Sequence, residues 1–384
     1  MRWSDGRISW TQSHMPLLAA IAEEFERTKP FSGLTIGVSL HLEPKTAVLL
    51  DVLHRGDARV VATGNLGTTQ PETVAALNAV GIEAMGHRTD DRDTHLAHVA
   101  SIAAQRPDVL LDNGADLAAA AIGIDHVPVG GTEETTSGAF RLRDELAADV
   151  GFPVVVINDS PLKAIVENKH AVGQSVMESF VRITNLMVQR KRIVVVGYGW
   201  CGRGIAHYAN ALGADVVVVE TDEIKALEAA VDGYRVGSLP EAAATADVII
   251  TATGAQHVVG SEAFGALSDG TILANAGHFD TEIDVAALRT QAERIEEPTP
   301  GIEWITLDGA RAVALLTGGR MFNLGGPAPK GNSIESMDLG FALQAWSLER
   351  IVSGAGRLEV GAQPVPDDIN RRAAAAMVSR MMGG

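Results

Sequence analysis

Short apolar runs that each lead into a polar loop recur along the first half of the chain. They cover residues 34–40, 59–63, 109–111, 127–131 and 154–157. Runs of this length without alternation are typical of strands buried on both faces, as in a parallel sheet covered by helices. An amphipathic pattern at residues 11–29 predicts a helix ahead of the first strand. The first half is therefore predicted to form an α/β layer with a parallel sheet.

The second half contains a strand, a glycine loop, a helix and a second strand in immediate succession. Apolar residues 193–196 predict the first strand, and Gly197, Gly199 and Gly202 follow it in G-x-G-x-x-G spacing. The first glycine permits a tight turn, the second lets backbone approach a pyrophosphate, and the third lets the helix pack on the strand. The helix N-terminus offers free N–H groups to phosphates. A glycine triad alone also occurs in ordinary helix-capping turns, but the complete unit predicts a dinucleotide site.

Glu220 ends the second strand of this unit, residues 216–219. A carboxylate at this position accepts hydrogen bonds from a ribose diol and would repel a 2′-phosphate, which predicts NAD rather than NADP. Further strands at 247–251 and 271–274 lead into Thr253 and Asn275. The expected fold class is α/β, with doubly wound parallel sheets and a Rossmann NAD-binding domain. Other predicted elements are helices at 175–189, 222–231, 337–351 and 367–384, with edge structure at 288–310.

Composition narrows the functional classes. The net charge of −17 argues against a nucleic-acid or membrane-surface partner. Cys201 is the only cysteine, so no intrachain disulfide can form, and inside the glycine loop it is interpreted as a packing residue rather than a nucleophile. No apolar run has signal-peptide or membrane-spanning character, so a cytoplasmic location is expected. The eleven histidines lack metal-ligand spacing, and no metal is predicted.

Several loops together resemble one family. The stretches SLHLEPKTAVL, DNGADL, GGTEETTSG, INDSPLKAIVENKHAVGQS, IVVVGYGWCGRGIA and ANAGHFDTEID occur in the order and context of the S-adenosyl-L-homocysteine hydrolase family. The likeness is greatest to its shorter, archaeal-type branch and covers nearly the whole chain. It implies a homotetramer. It also implies a substrate domain at 1–165, an NAD domain at 166–330, a substrate-domain return helix at 331–360 and a helical tail at 361–384.

The resemblance implies a specific chemistry. In this family the ribose 3′-hydroxyl of a nucleoside is oxidised by bound NAD, which acidifies the neighbouring 4′ C–H. A base removes that proton and the 5′ substituent leaves. In the hydrolase, water then adds to the 4′,5′ double bond and the ketone is reduced again. The protein must therefore supply a proton acceptor at the 3′-hydroxyl and an acid or base near C5′.

The resemblance also assigns roles to residues. Lys163 takes the place of the family's lysine at the 3′-hydroxyl, and Glu134 and Glu167 those of the acids at the ribose. His41 and His278 match the histidines near the 5′ leaving group, although either could instead be a buried, hydrogen-bonded histidine. Expected cofactor contacts, besides the glycine loop and Glu220, are Thr135, Thr136, Ser137, Asn168, Thr253, Asn275 and Asn323. Expected substrate contacts are Glu43, Lys45, Thr46, Asn332 and Met337.

Departures from the family pattern cluster in the substrate half. Asn113 stands where the family has the second aspartate of Asp-Asp-Gly, and an amide cannot exchange a proton at neutral pH. Glu167 replaces an aspartate, and Asn332 stands where the family has a histidine near the base. The Lys/Tyr tail with which many relatives complete a neighbour's NAD site is missing, from which we expect weaker or more exchangeable cofactor binding.

These departures lead to an ordered set of hypotheses. The first is a diverged nucleoside dehydratase, which eliminates water from a purine nucleoside and releases an unsaturated sugar. The alternative is an S-adenosyl- or S-inosyl-homocysteine hydrolase that tolerates the substitutions. A third is a catalytically weak NAD-binding regulatory homologue, although the retained Lys163, His41 and His278 speak against it. The expected partner is a purine nucleoside or its 5′-thioether.

Overall fold

The computed structural model describes residues 3–277, 280–308, 311–354 and 358–382. The chain divides into two compact units. The first unit comprises Met1–Ala164 together with Ile334–Gly384, and the second unit comprises Ile165–Ser333. Each unit has a largely parallel sheet with helices, so the predicted α/β fold class is confirmed. The C-terminal residues belong to the first unit and do not form a separate tail.

The sheet of the first unit is parallel throughout its described strands. Its central strands are almost entirely buried, which explains why they appear in the sequence as unbroken apolar runs. From one edge to the other the order is Gly361–Pro364, Pro153–Val156, Gly130–Glu133, Val109–Asp112, Thr35–Ser39, Arg59–Thr63 and Glu83–Met85.

Helices accompany this sheet. The single helix predicted at 11–29 is in fact two, because Pro16 starts a new helix at a position where its missing N–H costs nothing. The helices of the first unit are Gly6–Ser13, Pro16–Thr28, Pro44–Arg55, Pro71–Ala79, Arg92–Ala104, Asp116–Gly123, Thr136–Arg143, Ile334–Ser353 and Asp367–Met381.

Two strands of the first unit differ from the prediction. The strand predicted at 127–131 is Gly130–Glu133, since Val127 is 66% exposed and Pro128 has no N–H to donate. The strand therefore ends at a glutamate and not in an apolar residue. The strand Gly361–Pro364 lies in the segment predicted to be a purely helical tail, and its sequence, GAQP, carries no apolar run. It is recognisable only through its pairing with Pro153–Val156.

In the sheet of the second unit the direction of strand order reverses at Arg192–Val196, the first strand of this sheet along the chain. Later strands pair on both sides of it, which creates the switch point where such sheets bind ligands. Residues predicted as edge structure form an antiparallel hairpin at one edge. The order is Arg294–Thr299, Ile302–Thr306, Ala312–Leu316, Ile272–Asn275, Val248–Thr251, Arg192–Val196, Asp215–Val219 and Arg235–Val236.

The helix predicted at 175–189 is Val172–Thr184, and it ends where Asn185 adopts a left-handed conformation. A π-helix, Lys163–Ala171, precedes it and carries several predicted site residues. No helix in the described ranges is both long and apolar enough to cross a membrane. The remaining α-helices of this unit are Trp200–Ala211, Glu223–Val231, Leu239–Ala243, Ser261–Phe264, Val285–Thr290 and Phe322–Gly325.

A buried carboxylate joins two helices of the first unit. Asp338, on the helix Ile334–Ser353, accepts hydrogen bonds from the backbone N–H groups of Leu17 (2.8 Å) and Leu18 (2.9 Å). These are N–H groups of the first turn of Pro16–Thr28, a helix that has no side-chain cap of its own. Burial raises the pKa of Asp338 to about 6, although both hydrogen bonds oppose the shift.

The titration of Asp338 predicts a pH effect on stability. Its pKa is raised from 3.8 to about 6, so the folded chain holds this proton more tightly than the unfolded chain. The stabilisation is present below pH 4 and is lost as pH rises through 6, a change of about 3 kcal/mol at roughly 1.4 kcal/mol per pKa unit. Urea unfolding of the wild type and Asp338→Asn at pH 4 and pH 7 measures this change. From pH 4 to pH 7 the free energy of unfolding of the wild type should fall by that amount relative to that of Asp338→Asn. An equal difference between the two proteins at both pH values would refute the assignment.

Candidate active site

Residues that follow four strands of the first unit's sheet form one hydrogen-bonded chain. The Asn65 side-chain amide donates to Asn113 Oδ1 (2.6 Å), and Asn113 Nδ2 donates to Glu134 Oε2 (3.0 Å). The other oxygen of Glu134 lies 3.5 Å from Lys163 Nζ. Asn113, Glu134 and Lys163 are buried. The structure thus groups three predicted residues and adds Asn65, whose loop the sequence marked only as polar.

The orientation of the Asn113 amide follows from its partners. Asn65 donates to the oxygen of Asn113, so the Asn113 NH2 group faces the acceptor Glu134. An aspartate at this position would place two carboxylates about 3 Å apart, and like charges that close cannot both ionise at ordinary pH. The amide at position 113 therefore supplies a donor to Glu134 and avoids a second carboxyl group at this distance.

His41 is held by its neighbours in the same region. Its Nδ1 lies 2.8 Å from Thr68 Oγ1, and that hydroxyl lies 3.0 Å from the Asn65 carbonyl oxygen. Since the hydroxyl proton goes to the carbonyl, Nδ1 carries a proton and donates to Thr68 Oγ1. Thr46 Oγ1 donates to the His41 carbonyl oxygen (2.6 Å) and fixes the backbone. These contacts fix the orientation of the imidazole ring, and its role near the leaving group stays a prediction.

Glu43 and Lys45 form a buried ion pair, with 2.9 Å between Lys45 Nζ and Glu43 Oε2. Burial raises the pKa of Glu43, Lys45 opposes that shift, and the charge of Glu134 adds to it. Glu43 and Lys45 both lie at the start of the helix Pro44–Arg55, in the same unit as the hydrogen-bonded chain. Met337 is buried in the same unit, on the helix Ile334–Ser353.

Two further carboxylates lie beneath this region and were missed by the sequence analysis. Asp112 and Glu133 end neighbouring strands and are direct register partners. Burial raises the pKa of Asp112 to about 7 and, together with repulsion by Asp112, that of Glu133 to about 8. Asp112 accepts backbone N–H groups from Asn113 (2.9 Å) and Ala118 (2.8 Å). The sequence feature that could have identified Glu133 is the pair of consecutive glutamates, Glu133 and Glu134, at the end of its strand.

The Thr/Ser run predicted to touch the cofactor lies in the first unit. Thr135 caps the helix Thr136–Arg143 by accepting the Gly138 N–H (3.0 Å), and its hydroxyl donates to Glu133 (2.6 Å). Thr136 Oγ1 accepts from Asn158 (2.7 Å), and Ser137 Oγ lies 3.1 Å from Thr135 Oγ1. These contacts give the run a local structural role, and its contact with the cofactor stays a prediction.

The glycine loop of the second unit has the geometry expected of a dinucleotide site. Gly197 has φ +98°, a conformation that favours glycine. A Cβ on Gly202 would lie 2.0 Å from the Gly197 carbonyl oxygen, so helix and strand pack closely only without it. A Cβ on Gly199 would meet no atom within 4 Å, which leaves space for a ligand to approach the backbone. Gly197 and Gly202 therefore have the turn and packing roles that the spacing predicted, and the approach of a pyrophosphate at Gly199 stays a prediction.

Glu220 is held as an anion at the end of its strand. Its oxygens accept backbone N–H groups from Tyr198 (2.7 Å), Thr221 (2.7 Å) and Asp222 (3.0 Å). Burial alone would raise the pKa of this carboxyl, but the three N–H donors bring it below the usual value. An ionised carboxylate beside the glycine loop fits an unphosphorylated ribose diol, so the residues present fit NAD.

Hydrogen bonds to buried residues and to a neighbouring loop hold the other predicted cofactor loops of the second unit. Thr253 donates through its N–H (3.0 Å) and hydroxyl (2.9 Å) to Glu282, a fully buried residue that the sequence analysis missed. Asn275 accepts from Thr251 (3.0 Å) and donates to the Gly319 carbonyl oxygen (3.0 Å). Asn275 thus joins neighbouring loops, and its amide contact to the cofactor stays a prediction.

The altered residues of the second unit meet in one polar chain. Asn323 Nδ2 donates to Ser175 Oγ (3.0 Å), and Ser175 Oγ donates to Asn332 Oδ1 (3.3 Å). Asn332 Nδ2 lies 3.4 Å from Glu167 Oε1. Asn168 follows Glu167 on the π-helix. Two positions that depart from the family pattern, 167 and 332, therefore contact each other, while His278 lies outside the described residues.

Comparison with known proteins decides the family. The model of "S-adenosyl-L-homocysteine hydrolase, NAD binding domain" matches residues 168–328, and that of "S-adenosyl-L-homocysteine hydrolase" matches residues 1–126. The chain belongs to the S-adenosyl-L-homocysteine hydrolase family. The family resemblance inferred from the loops is confirmed, and so is NAD as the cofactor.

Relatives in this family match nearly the full chain. An S-inosyl-L-homocysteine hydrolase of Methanopyrus kandleri is 41% identical over 97% of this chain and 89% of its own length. An adenosylhomocysteinase of Thermococcus kodakarensis is 41% identical over 98% of this chain and 90% of its own. An adenosylhomocysteinase of Thermotoga maritima is 40% identical over 97% of this chain and 94% of its own length. Both substrate names thus occur at the same level of identity.

The geometry of Glu220 predicts its contribution to cofactor affinity. Glu220→Gln should weaken NAD binding about 10-fold, because a hydrogen bond to a charged acceptor contributes roughly 1.5–3 kcal/mol and the amide retains one acceptor oxygen. Calorimetric titration of the apoprotein with NAD measures the change. Asp215→Asn, at the opposite end of the same strand, is the control and should bind NAD as the wild type does. Equal affinity of all three proteins would contradict the role of Glu220.

Proposed function

We propose that the chain is an NAD-dependent hydrolase of an S-nucleosyl-L-homocysteine thioether. Its products would be a purine nucleoside and L-homocysteine. The observation that carries this proposal is the identity of 39–41% over nearly the full chain to proteins named adenosylhomocysteinase or S-inosyl-L-homocysteine hydrolase. The dehydratase hypothesis, which the sequence analysis placed first, has less support because none of these relatives bears such a name.

The proposed reaction needs no outside oxidant. When bound, NAD supplies the hydride acceptor for C3′ and returns the same hydride at the end of turnover. Between these steps a base takes the 4′ proton, the electron pair of that C–H bond forms the 4′,5′ double bond, and homocysteine leaves with the electron pair of the C5′–S bond. Water adds its hydroxyl at C5′ and a proton returns to C4′. Thioether and water are consumed, and nucleoside and thiol are formed.

Lys163 and Glu134 are the proposed groups at the ribose. Lys163 takes the proton of the 3′-hydroxyl as a neutral amine, since an ammonium group has no acceptor lone pair. Glu134 accepts hydrogen bonds from the ribose hydroxyls. Support comes from their burial and from the 3.5 Å separation of Lys163 Nζ and Glu134 Oε1. A proton acceptor and a hydrogen-bond acceptor placed side by side match the two adjacent hydroxyls of a ribose.

His41 is the proposed acid and base at C5′. With its Nδ1 held by Thr68, it exchanges a proton through Nε2, first with the leaving sulfur and then with the incoming water. Asn113 cannot exchange protons, so its proposed role is to orient Glu134 and the attacking water by hydrogen bonding. With an amide at position 113, proton transfer at C5′ is therefore proposed to depend on His41.

A direct assay tests the function. NAD-loaded protein is mixed in deuterated water with S-adenosylhomocysteine, S-inosylhomocysteine or a 5′-hydroxyl purine nucleoside, each separately, and products are identified by mass spectrometry. The proposal expects thiol release from at least one thioether, with deuterium in the nucleoside product. Loss of 18 mass units from the hydroxyl nucleoside, with both thioethers intact, would establish the dehydratase. The ratio of kcat/KM between the two thioethers identifies the base.

The match between Asn113 and Glu134 predicts a pH effect of one substitution. Asn113→Asp replaces an N–H donor by an anion that faces Glu134, so a proton must be shared between the two carboxylates. Its kcat should fall about 10-fold at pH 8 and much less at pH 6. Asn210→Asp adds the same charge at an exposed position of Trp200–Ala211 and should follow the wild-type pH profile. A constant ratio between Asn113→Asp and wild type over this range would count against the hydrogen bond.

A further inference from the structure

Glu133 occupies the junction between two loops of the candidate site. It is the last residue of the strand Gly130–Glu133, and its exposed fraction is 0%. Its carboxylate accepts hydrogen bonds from the N–H of Gly114 (3.0 Å), the N–H of Ala115 (3.0 Å) and the N–H of Thr135 (2.7 Å). The hydroxyl of Thr135 also donates to it, at 2.6 Å. No atom of Glu133 is accessible to a substrate.

The backbone of one loop is shaped around this carboxylate. Gly114 has φ +97° and Ala115 has φ +61°, so two consecutive residues are left-handed. In this conformation the N–H groups of both residues point toward the protein's own Glu133 carboxyl, which accepts a hydrogen bond from each. Arg141 holds the opposite side of this loop by donating to the Gly114 carbonyl oxygen and to Asp116 Oδ1 (2.7 Å).

The residues next to these contacts in the sequence are those whose side chains form the candidate active site. Asn113 directly precedes Gly114, and Glu134 lies between Glu133 and Thr135. The hydrogen bond from Asn113 Nδ2 to Glu134 Oε2 spans the two loops that Glu133 joins. Gly138 completes the arrangement, since a Cβ there would lie 2.2 Å from Glu133 Cδ. The space is therefore built for the carboxylate in this one position.

We propose that Glu133 is a positioning residue for the reaction. Its carboxylate fixes the separation of the loops that carry Asn113 and Glu134, and so keeps the Glu134 carboxylate aligned at the ribose. This inference rests on the proposed function for its catalytic consequence. Its structural consequence, the placement of Asn113 against Glu134, does not depend on which substrate is turned over.

The kinetic test uses Glu133→Gln holoenzyme, which keeps the side-chain volume and turns one acceptor oxygen into a donor. We expect kcat to fall about 30-fold with KM changed less than 3-fold. A double-mutant cycle with Glu134→Gln shows whether Glu133 acts through Glu134. In the Glu134→Gln background, Glu133→Gln should lower kcat less than 3-fold further. Additive losses, or an unchanged kcat in Glu133→Gln, would overturn the inference.

A matched control separates positioning from stability. Asp338→Asn makes the same carboxylate-to-amide change at another buried residue of the first unit that accepts two backbone N–H groups. It should change the Tm but keep kcat within 2-fold of the wild type. Should Glu133→Gln fail to fold, Gly138→Ala displaces the carboxylate without removing it, and the same loss of kcat is expected.

A structural measurement distinguishes failure of this inference from failure of the proposed function. Crystal structures of the wild type and Glu133→Gln are compared at Asn113 and Glu134. The inference expects Asn113 Nδ2 and Glu134 Oε2 to separate beyond hydrogen-bonding distance in the variant. An unchanged separation overturns it, whatever the substrate is. Absence of thioether cleavage by the wild type, with the loops displaced in the variant, refutes only the proposed function.

Discussion

Hydrogen bonds from backbone N–H groups to carboxylates hold the ends of the strands in both units. Glu133 does this beneath the loops of Asn113 and Glu134, and Glu220 and Glu282 do it around the glycine loop and Thr253. Loops at the ends of parallel strands have few partners of their own, and unsatisfied buried N–H groups are costly. A glutamate that accepts several of them at once both satisfies the groups and fixes the loop. The positions of the functional side chains depend on this arrangement.

Periodicity and local motifs account for the parts of the fold that could be predicted from the sequence. Buried strands such as Arg59–Thr63 and the unit from Arg192 to Glu220 were predicted because apolar runs and glycine spacing are local properties of the chain. Glu133 and Glu282 were missed since a buried glutamate looks like any surface acid until its N–H donors are known. The strand Gly361–Pro364 was missed because its stability comes from a partner strand far away in the sequence.

The departures from the family pattern are better explained in pairs than one by one. Asn113 supplies the N–H donor that a charged Glu134 requires, and Asn65 fixes which way the amide points. In the second unit Asn332 Nδ2 lies 3.4 Å from Glu167 Oε1, so two positions identified as departures contact each other. Changes that restore complementarity preserve an active site, whereas unpaired changes would dismantle it. This pattern favours a working enzyme over a binding protein that has lost its chemistry.

The strand Gly361–Pro364 also constrains the order in which the protein can be made. It pairs with Pro153–Val156, and everything from Ile165 to Ser333 is synthesised between these two strands. During translation the second unit, a continuous segment, can complete its sheet while the first unit still lacks an edge strand and two helices. Contacts of such sequence separation form late and leave a sheet edge open in the meantime. The first unit is therefore the part of the newborn chain that is most exposed to misassociation.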